Sequence, residues 1–134
     1  MSVVVDTSAL FALLDGRDAH HASAVAFWMD PDDEDLVTHA YVVIESAALV
    51  RSRLGPAAVI ALLDDLLPAI RVEMVDRSLH EGSLADHRQM GGGTSVVDRV
   101  TLAFAARHGI QRAFAFDADL VSAGLAAVGA RPPQ

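Results

Sequence analysis

The sequence contains no cysteine and no lysine, and its ten basic residues are all arginines. Without cysteine, the chain cannot form disulfides, zinc fingers, iron–sulfur clusters or a catalytic thiol. Without lysine, it cannot use a P-loop lysine or form a Schiff base with a substrate. The lack of cysteine also fits a protein of the cytoplasm, which is where we expect this chain to act.

Long apolar runs and aromatic residues are scarce as well. No apolar segment approaches the roughly 18–20 residues that span a bilayer, so we expect no contact with a membrane. The start, MSVVVDTSAL, lacks the basic region of a signal peptide. Seven aromatic residues among 134 offer a poor platform for stacking nucleobases. Hydrophobic residues make up 52% of the chain, which is enough for one core, and we predict a single domain over residues 1–134.

Positive charge is the minority sign, because 18 acidic residues give a formal net charge of −8. An acidic protein has no general electrostatic attraction for a polyanion. If the chain handles nucleic acid, it must use local arginines, bound metal ions or the charge of a partner. The most acidic segment, DPDDED over residues 30–35, is interpreted as a solvated loop.

Strands alternate with helices along the chain. Alternation of this kind predicts an α/β fold with three layers, in which a central parallel sheet of four to five strands lies between helices. We predict a short helix and an edge strand in the tail after Asp117. The other strands are predicted at 2–6, 36–39, 70–76 and 112–116, and the other helices at 7–15, 22–29, 41–54, 57–67, 77–89 and 95–108.

Two acids directly follow predicted strands. Asp6 ends VVVD before TSAL, and Asp117 ends FAFD, with Asp119 two residues further along. Each has an ordinary structural interpretation, Asp6 as the N-cap of the next helix and Asp117 as a turn residue. Because ligands bind at the carboxyl ends of strands in open parallel sheets, both are also candidates for a common site.

Two further acids lie on predicted helices. Glu45, in YVVIESAALV, has no cationic residue three or four positions away, so it either reaches solvent or a distant arginine, or it faces a site. Asp98 follows Ser95 by three residues, as in a capping box, and a first-turn carboxylate also points towards the sheet edge. If these acids converge, they need divalent cations or raised pKa values, and oxygen ligands suit Mg²⁺ or Mn²⁺.

These features together resemble the PIN-domain family, and within it the VapC-type toxin ribonucleases of type II toxin–antitoxin systems. The resemblance rests on VVVDTSAL (3–10), Glu45, SVVDRVTLAFAARHGI (95–110) and FAFDADL (114–120). DTSAL alone is a weak motif. All four elements in order, at fitting spacings over essentially the whole chain, are a specific pattern.

The resemblance implies a metal-dependent endoribonuclease that hydrolyses RNA phosphodiester bonds with a water activated by Mg²⁺ or Mn²⁺. It implies that Asp6, Glu45, Asp98 and Asp117 are the catalytic acids and the metal ligands, Asp6 and Asp98 most directly. Asp119 is a further candidate ligand. The family also forms homodimers and is silenced by a small VapB-type antitoxin bound over the active-site groove.

One position departs from the family pattern. Where the family often has Thr or Ser two places before the fourth acid, this chain has Ala115, so a hydroxyl that could hold a water is missing. A catalytically inactive PIN module that only binds RNA or an antitoxin therefore stays an alternative. A phosphotransfer receiver domain would need a lysine, and a haloacid-dehalogenase-type phosphatase would need an aspartate where Ser8 stands.

Contacts to RNA are the least determined part of the prediction. Arg88 and Arg99 are nearest in sequence to the GGG loop (91–93) and Asp98, which makes them our candidates for phosphate contact. His39 follows a predicted strand and is a candidate to approach the pocket. The sequence does not name the RNA that is cut, and tRNA, ribosomal RNA and messenger RNA all stay open.

Overall fold

A computed structural model describes residues 1–129 of the chain. Its strands are β1 (Ser2–Val5), β2 (Asp35–His39), β3 (Arg71–Glu73), β4 (Arg112–Phe114) and β5 (Ala126–Val128). They form one parallel sheet in the order β3-β2-β1-β4-β5, so β1 lies in the middle. The predicted parallel sheet of four to five strands is confirmed.

Helices cover this sheet. Between residues 1 and 129 they are α1 (Thr7–Leu14), α2 (His21–Met29), α3 (Ala40–Leu54), α4 (Pro56–Ala61), α5 (Arg77–Met90), α6 (Val96–Arg107) and α7 (Ala118–Ser122). None of these helices has the length and apolar character needed to cross a membrane. The short helix and edge strand predicted for the tail are α7 and β5, while residues 130–134 of that tail, and of the predicted domain 1–134, lie outside the described residues.

The two sides of β1 belong to two separate apolar cores. Val3 and Val5 pack with buried residues of α1, α2 and α3, whereas Val4 packs with buried residues of α5, α6 and α7. All three valines are fully buried. Side chains of a strand alternate between the faces of a sheet, so an unbroken VVV run requires that both faces be covered. This arrangement is the predicted three-layer architecture.

β1 ends one residue earlier than predicted, and two other strands are shorter than the sequence predicts by two residues or more. β4 ends at Phe114 instead of residue 116, because the N–H of Phe116 donates to the Ser8 hydroxyl at 2.9 Å. β3 ends at Glu73 instead of residue 76, and Asp76 caps α5 by accepting the N–H of Leu79 at 2.8 Å. At β4, a side chain of another segment therefore binds a backbone group that the strand prediction had assigned to the sheet, whereas at β3 the last residue of the predicted strand caps the next helix instead.

Two predictions for polar or helical segments are wrong in part. The helix predicted over 57–67 is α-helical only to Ala61; it continues as a π-helical turn over Leu62–Leu66, before Pro68, which has no N–H to donate. The predicted solvated loop 30–35 contains Glu34, whose side chain is only 10% exposed because it pairs with Arg112 and with the N-terminal ammonium group. The last residue of that segment already begins β2.

Candidate metal centre

Asp6 lies between the end of β1 and the start of α1. Its Oδ2 accepts hydrogen bonds from the N–H of Ser8 at 3.1 Å and from the Ser8 hydroxyl at 2.6 Å, so the predicted N-cap is confirmed. Its Oδ1 is buried and has no hydrogen-bond partner within residues 1–129. Because a buried carboxylate oxygen without a partner is costly, Oδ1 is a candidate ligand for a cation.

Asp117 and Asp98 come from two further segments. Asp117 follows β4, the neighbour of β1, and accepts the N–H of Asp119 at 2.8 Å as the N-cap of α7. Asp98 lies in the first turn of α6, where its N–H donates to the Ser95 hydroxyl at 3.0 Å. The predicted cap at Ser95 is confirmed, and it places the Asp98 carboxylate at the N-terminus of the helix, where the helix dipole favours a negative charge.

These three aspartates converge. One carboxylate oxygen from each of Asp6, Asp98 and Asp117 lies within 4.8 Å of the others. Oxygens bound to one Mg²⁺ are about 2.0–2.1 Å from the ion and therefore no more than about 4.2 Å apart. Small side-chain movements would thus allow all three carboxylates to bind one ion.

The trio is electrostatically unfavourable without a cation. Burial raises the pKa of Asp98 to about 7, and the charges of Asp6 and Asp117 add to this shift. Burial also raises the pKa of Asp6, although hydrogen bonds from Ser8 oppose the shift and the charge of Asp117 adds to it. The ion pairs found among residues 1–129 all involve other carboxylates. A divalent cation is therefore the natural counter-charge.

The trio lies in a pocket of about 360 Å³ that contains the other two predicted acids. Glu45 of α3 and Asp119 of α7 line this pocket but are not part of the set of oxygens within 4.8 Å. The structure therefore brings five predicted acids into one pocket and three of them into direct proximity. The lining residues are Asp6, Thr7, Ser8, Glu45, Leu49, Gly93, Ser95, Asp98, Asp117 and Asp119.

Ser8 is a site residue that the sequence interpretation missed. Its hydroxyl donates to Asp6 and accepts from the N–H of Phe116, so it links the segments that carry Asp6 and Asp117. The position two residues after Asp6 was the only available signal, since a hydroxyl there can reach the N-cap carboxylate. Ala115, where the family often has a hydroxyl, is buried among apolar side chains, but Thr7, Ser8 and Ser95 supply hydroxyls to the pocket.

His39 was a candidate to approach this pocket, and that prediction is wrong. The residue is fully buried and caps α3: its Nδ1 accepts the N–H of Tyr41 at 3.2 Å, and its Nε2 lies 2.8 Å from the Thr101 hydroxyl. Burial lowers the pKa of His39 to about 4. Its role is to join α3 to α6, the helices that carry Glu45 and Asp98.

The two candidate arginines lie outside the residues that line the acidic pocket in the described part of the chain. Arg88, on α5, lines a separate depression with Glu81. Arg99 extends its guanidinium towards the sulfur of Met90, at 3.3 Å, and its Nε is buried. Their contact with RNA stays a prediction.

The donor set fits a divalent metal ion of the Mg²⁺ type. All the converging atoms are carboxylate oxygens, and Asp6 carries a buried oxygen without a hydrogen-bond partner within residues 1–129. Mg²⁺ and Mn²⁺ prefer carboxylate oxygens as ligands. Mg²⁺ usually keeps several of its waters, and the pocket in front of the three aspartates leaves room for them.

Comparison with known proteins agrees with this geometry. A family profile described as "PIN domain" matches residues 3–124. The 23S rRNA-specific endonuclease VapC20 of Mycobacterium tuberculosis is 34% identical over 132 residues, covering 94% of this chain and 97% of that protein. Ribonuclease VapC26 of the same species is 41% identical over 64 residues, covering 48% of this chain and 47% of that protein.

Solved structures show the same fold. The crystal structure of M. tuberculosis VapC20, described as a Sarcin-Ricin loop cleaving toxin, superposes with a TM-score of 0.82 at 33% identity, covering 97% of this chain and 99% of that one. FitAcB from Neisseria gonorrhoeae superposes with a TM-score of 0.66 at 19% identity, covering 96% of both chains, and supports the fold alone. The chain belongs to the PIN-domain family.

Proposed function

We propose that this chain is a metal-dependent endoribonuclease and the toxin of a VapBC-type toxin–antitoxin pair. The observation that carries the proposal is the convergence of Asp6, Asp98 and Asp117 at the carboxyl end of the sheet, within 4.8 Å of one another. The 34% identity to a protein named as a 23S rRNA-specific endonuclease supports RNA as the substrate, and ribosomal RNA as the first RNA to test.

Each acid has a role that follows from its position. Asp6, Asp98 and Asp117 would hold the ion, and the ion would supply positive charge to the scissile phosphate and lower the pKa of the attacking water. Glu45 lines the pocket outside the trio, which supports a role for its carboxylate in orienting or deprotonating that water. Ser8 keeps Asp6 in position through its short hydrogen bond to Oδ2. Mg²⁺ and Mn²⁺ are the ions we propose.

The proposal includes partners and location. A VapB-type antitoxin would cover the acidic pocket, and the acidity of that pocket favours a basic segment with an arginine. We also propose homodimers in the cytoplasm; the exposed apolar side chains of Ile44, Met74 and Leu84 are candidates for contact with a second copy. Light scattering of the purified chain would measure the dimer directly.

The direct test is RNA cleavage by the antitoxin-free chain. We expect cleavage of ribosomal RNA with Mg²⁺ or Mn²⁺, and none with EDTA. Asp98→Asn should abolish cleavage, whereas the matched control Asp86→Asn, at an exposed position of α5, should not. Undiminished cleavage in EDTA would contradict the metal mechanism. A folded wild-type chain that binds RNA but never cuts it would be the inactive module. Mapping the cut ends would identify the RNA.

A further inference from the structure

A second cavity opens beside the metal centre, on the other side of Asp117. It has a volume of about 500 Å³, and its walls include His20, Ser23, Phe116, Asp117 and Ser122. Asp117 lines both this cavity and the acidic pocket, so the two spaces share a wall. An RNA whose phosphate met the three carboxylates would therefore bring a neighbouring nucleotide to the second cavity.

The cavity contains two stacked rings. The imidazole of His20 and the ring of Phe116 have centroids 4.5 Å apart and planes only 10° from parallel. Phe116 is half-buried and meets Phe114 edge-on at 6.1 Å, while His20 is exposed. A parallel pair with one exposed member offers a flat surface that a further planar ring can extend.

The stack is fixed relative to the carboxylates. The N–H of Phe116 donates to the Ser8 hydroxyl, which itself donates to Asp6. On the other side, the N–H of His20 donates to the Asp18 carboxylate at 2.8 Å, which holds the loop before α2. The rings and the metal centre are therefore connected through two hydrogen bonds, as a site with a defined spacing requires.

Charge favours a base over a phosphate in this cavity. The chain carries a net charge of −8, and the Asp117 carboxylate is part of the cavity wall. A second phosphate would be repelled there, whereas base–aromatic stacking does not depend on a positive charge. The hydroxyls of Ser23 and Ser122 can donate to or accept from the edge of a base.

We propose that this cavity is a subsite for a nucleobase of the RNA substrate, stacked on His20 and adjacent to the scissile phosphate. The proposal rests on the ribonuclease function proposed above and specifies how that site selects its substrate. It explains how an acidic chain with few aromatic residues orients RNA: one stacked pair, placed next to the metal centre, replaces a wide basic surface.

A binding experiment tests the subsite without catalysis. The ring protons of His20 are assigned in NMR spectra by comparison with His20→Ala, and the protein in EDTA is titrated with AMP, GMP, CMP, UMP or ribose 5-phosphate. We expect the four nucleotides to shift the His20 signals upfield through ring currents, and ribose 5-phosphate to leave them in place. His80, an exposed histidine that packs on Tyr41 in another depression, is the internal control. Equal shifts with ribose 5-phosphate, or none at His20 with any nucleotide, would overturn the proposal.

Kinetics on a mapped RNA site form the second arm. Stacking on an aromatic side chain contributes enough binding to change KM about 5- to 150-fold, so we expect His20→Ala to raise KM in that range with little change in kcat. His20→Phe should restore KM, and His80→Ala should behave as wild type. His20 makes no side-chain capping bond to α2, so its removal spares the helix. Unchanged KM and cleavage sites in His20→Ala would refute the subsite, whereas failure of the wild type to cut RNA would refute only the proposed function and leave the NMR titration decisive.

Discussion

At the scale of single residues, three carboxylates determine the chemistry of this molecule: Asp6 and Asp98 are buried, Asp117 is half-buried, and one oxygen of each lies within 4.8 Å of the others. Asp98 shows the effect of this proximity, because burial and the charges of Asp6 and Asp117 raise its pKa to about 7. Without a cation, the folded protein at neutral pH must keep a proton on the trio or store the repulsion between its charges. Either way, the metal-free state is less stable than the same fold with one charge removed.

Removal of one charge should therefore stabilise the metal-free protein. We expect Asp6→Asn to melt in EDTA at the same temperature as wild type or higher, because asparagine keeps the N-cap and loses the charge. Saturating Mg²⁺ should stabilise wild type by about 2.7 kcal/mol at a hundred times the dissociation constant, and the variant should lose most of this shift and its cleavage activity. Thermal melting with Mg²⁺ and with EDTA measures both effects.

Asp76→Asn is the matched control for this experiment. Asp76 also caps a helix, α5, but it lies outside the acidic pocket and pairs with Arg107. This variant should keep the full Mg²⁺ shift. If Asp6→Asn instead melts clearly lower in EDTA and retains the Mg²⁺ shift, Asp6 is a structural residue and the proposed ligand set is wrong.

His39 is also buried, but burial shifts its pKa downwards, in the opposite direction from the pKa values of Asp6 and Asp98. Its Nδ1 accepts the N–H of Tyr41, so the ring proton lies on Nε2 and is donated to Thr101, whose hydroxyl donates to the carbonyl of Val97 at 3.0 Å. A second proton would have to enter a buried ring at a nitrogen that already faces a donor. Burial accordingly lowers the pKa of His39 to about 4.

This shift predicts a pH dependence of stability. The pKa of histidine in the unfolded chain is about 6.5. Between pH 6.5 and 4, the unfolded state therefore binds more protons than the folded state. The contribution of neutral His39 to the free energy of unfolding is complete above pH 6.5 and is lost as the pH falls towards 4. As the pH falls through that window, the free energy of unfolding of wild type relative to that of His39→Asn should decrease by up to about 1.4 kcal/mol per pH unit. Urea unfolding of both proteins in EDTA gives the difference, in which the opposite contribution of the aspartates cancels. A constant difference from pH 7 to 4 would contradict the assignment.

The sequence could predict the acids and their local helix caps, but not the hydrogen bonds that join distant segments. Asp6 and Asp117 stand out because they follow predicted strands, Glu45 because no cationic residue is near it on its helix, and Asp98 because it follows Ser95 by three residues; all of these signals are local. The bond from Ser8 to Phe116 joins residues 108 positions apart, and the one from His39 to Thr101 joins residues 62 apart. No spacing rule connects such distant partners, so the role of His39 was wrongly predicted and that of Ser8 was missed.

At the scale of elements, the end of α6 shows how one glycine determines a helix boundary. The N–H of Ile110 donates to Ala105 at 2.8 Å and that of Gly109 to Ala106 at 3.3 Å, which is the Schellman pattern. Gly109 adopts φ +65°, in the left-handed region. Ile110 follows, with its side chain buried in the core, and the chain then enters β4.

Two glycine substitutions should have opposite signs. Gly109→Ala should lower the free energy of unfolding by about 1 kcal/mol, since a Cβ strains the left-handed conformation. Gly82→Ala, in the interior of α5, should raise it by about 0.4–1 kcal/mol, because alanine favours the helix and its Cβ would meet no atom within 4 Å. Urea unfolding measures both; a gain at Gly109, or a loss at Gly82, would show that backbone conformation does not control these sites.

Elements were predictable where their limits come from local signals. Gly55, Gly109 and the caps Asp6 and Ser95 marked helix ends within one or two residues. Predictions were wrong where tertiary contacts determine the end of an element, as at β4, which ends at Phe114. The ion pair of Glu34 with Arg112 joins the loop before β2 to strand β4. The composition of DPDDED alone could not predict this contact, because the partner is 78 positions away in the sequence.

At the scale of the whole molecule, charge limits how RNA can be held. A net charge of −8 without lysine leaves ten arginines, of which Arg71, Arg77, Arg107 and Arg112 form ion pairs with carboxylates. A protein that neutralises six to ten phosphates loses about 10³–10⁵ in affinity between 50 and 200 mM salt. This chain lacks the positive charge for that mode of binding and depends on the metal centre and local contacts.

Cleavage should therefore respond weakly to monovalent salt. With Mg²⁺ saturating throughout, we expect kcat/KM to change less than about tenfold between 50 and 200 mM KCl, because few phosphate contacts release counterions and salt also screens the repulsion of RNA by the acidic surface. Initial rates on one mapped RNA site provide the measurement. Arg88→Gln and Arg99→Gln should each reduce the log–log salt slope by about 1 if the arginine contacts a phosphate, and leave it unchanged if it does not. If kcat/KM of wild type falls several hundredfold between 50 and 200 mM KCl, the chain binds RNA through an extended arginine surface. The proposal that the metal centre and a few local contacts hold the substrate would then be wrong.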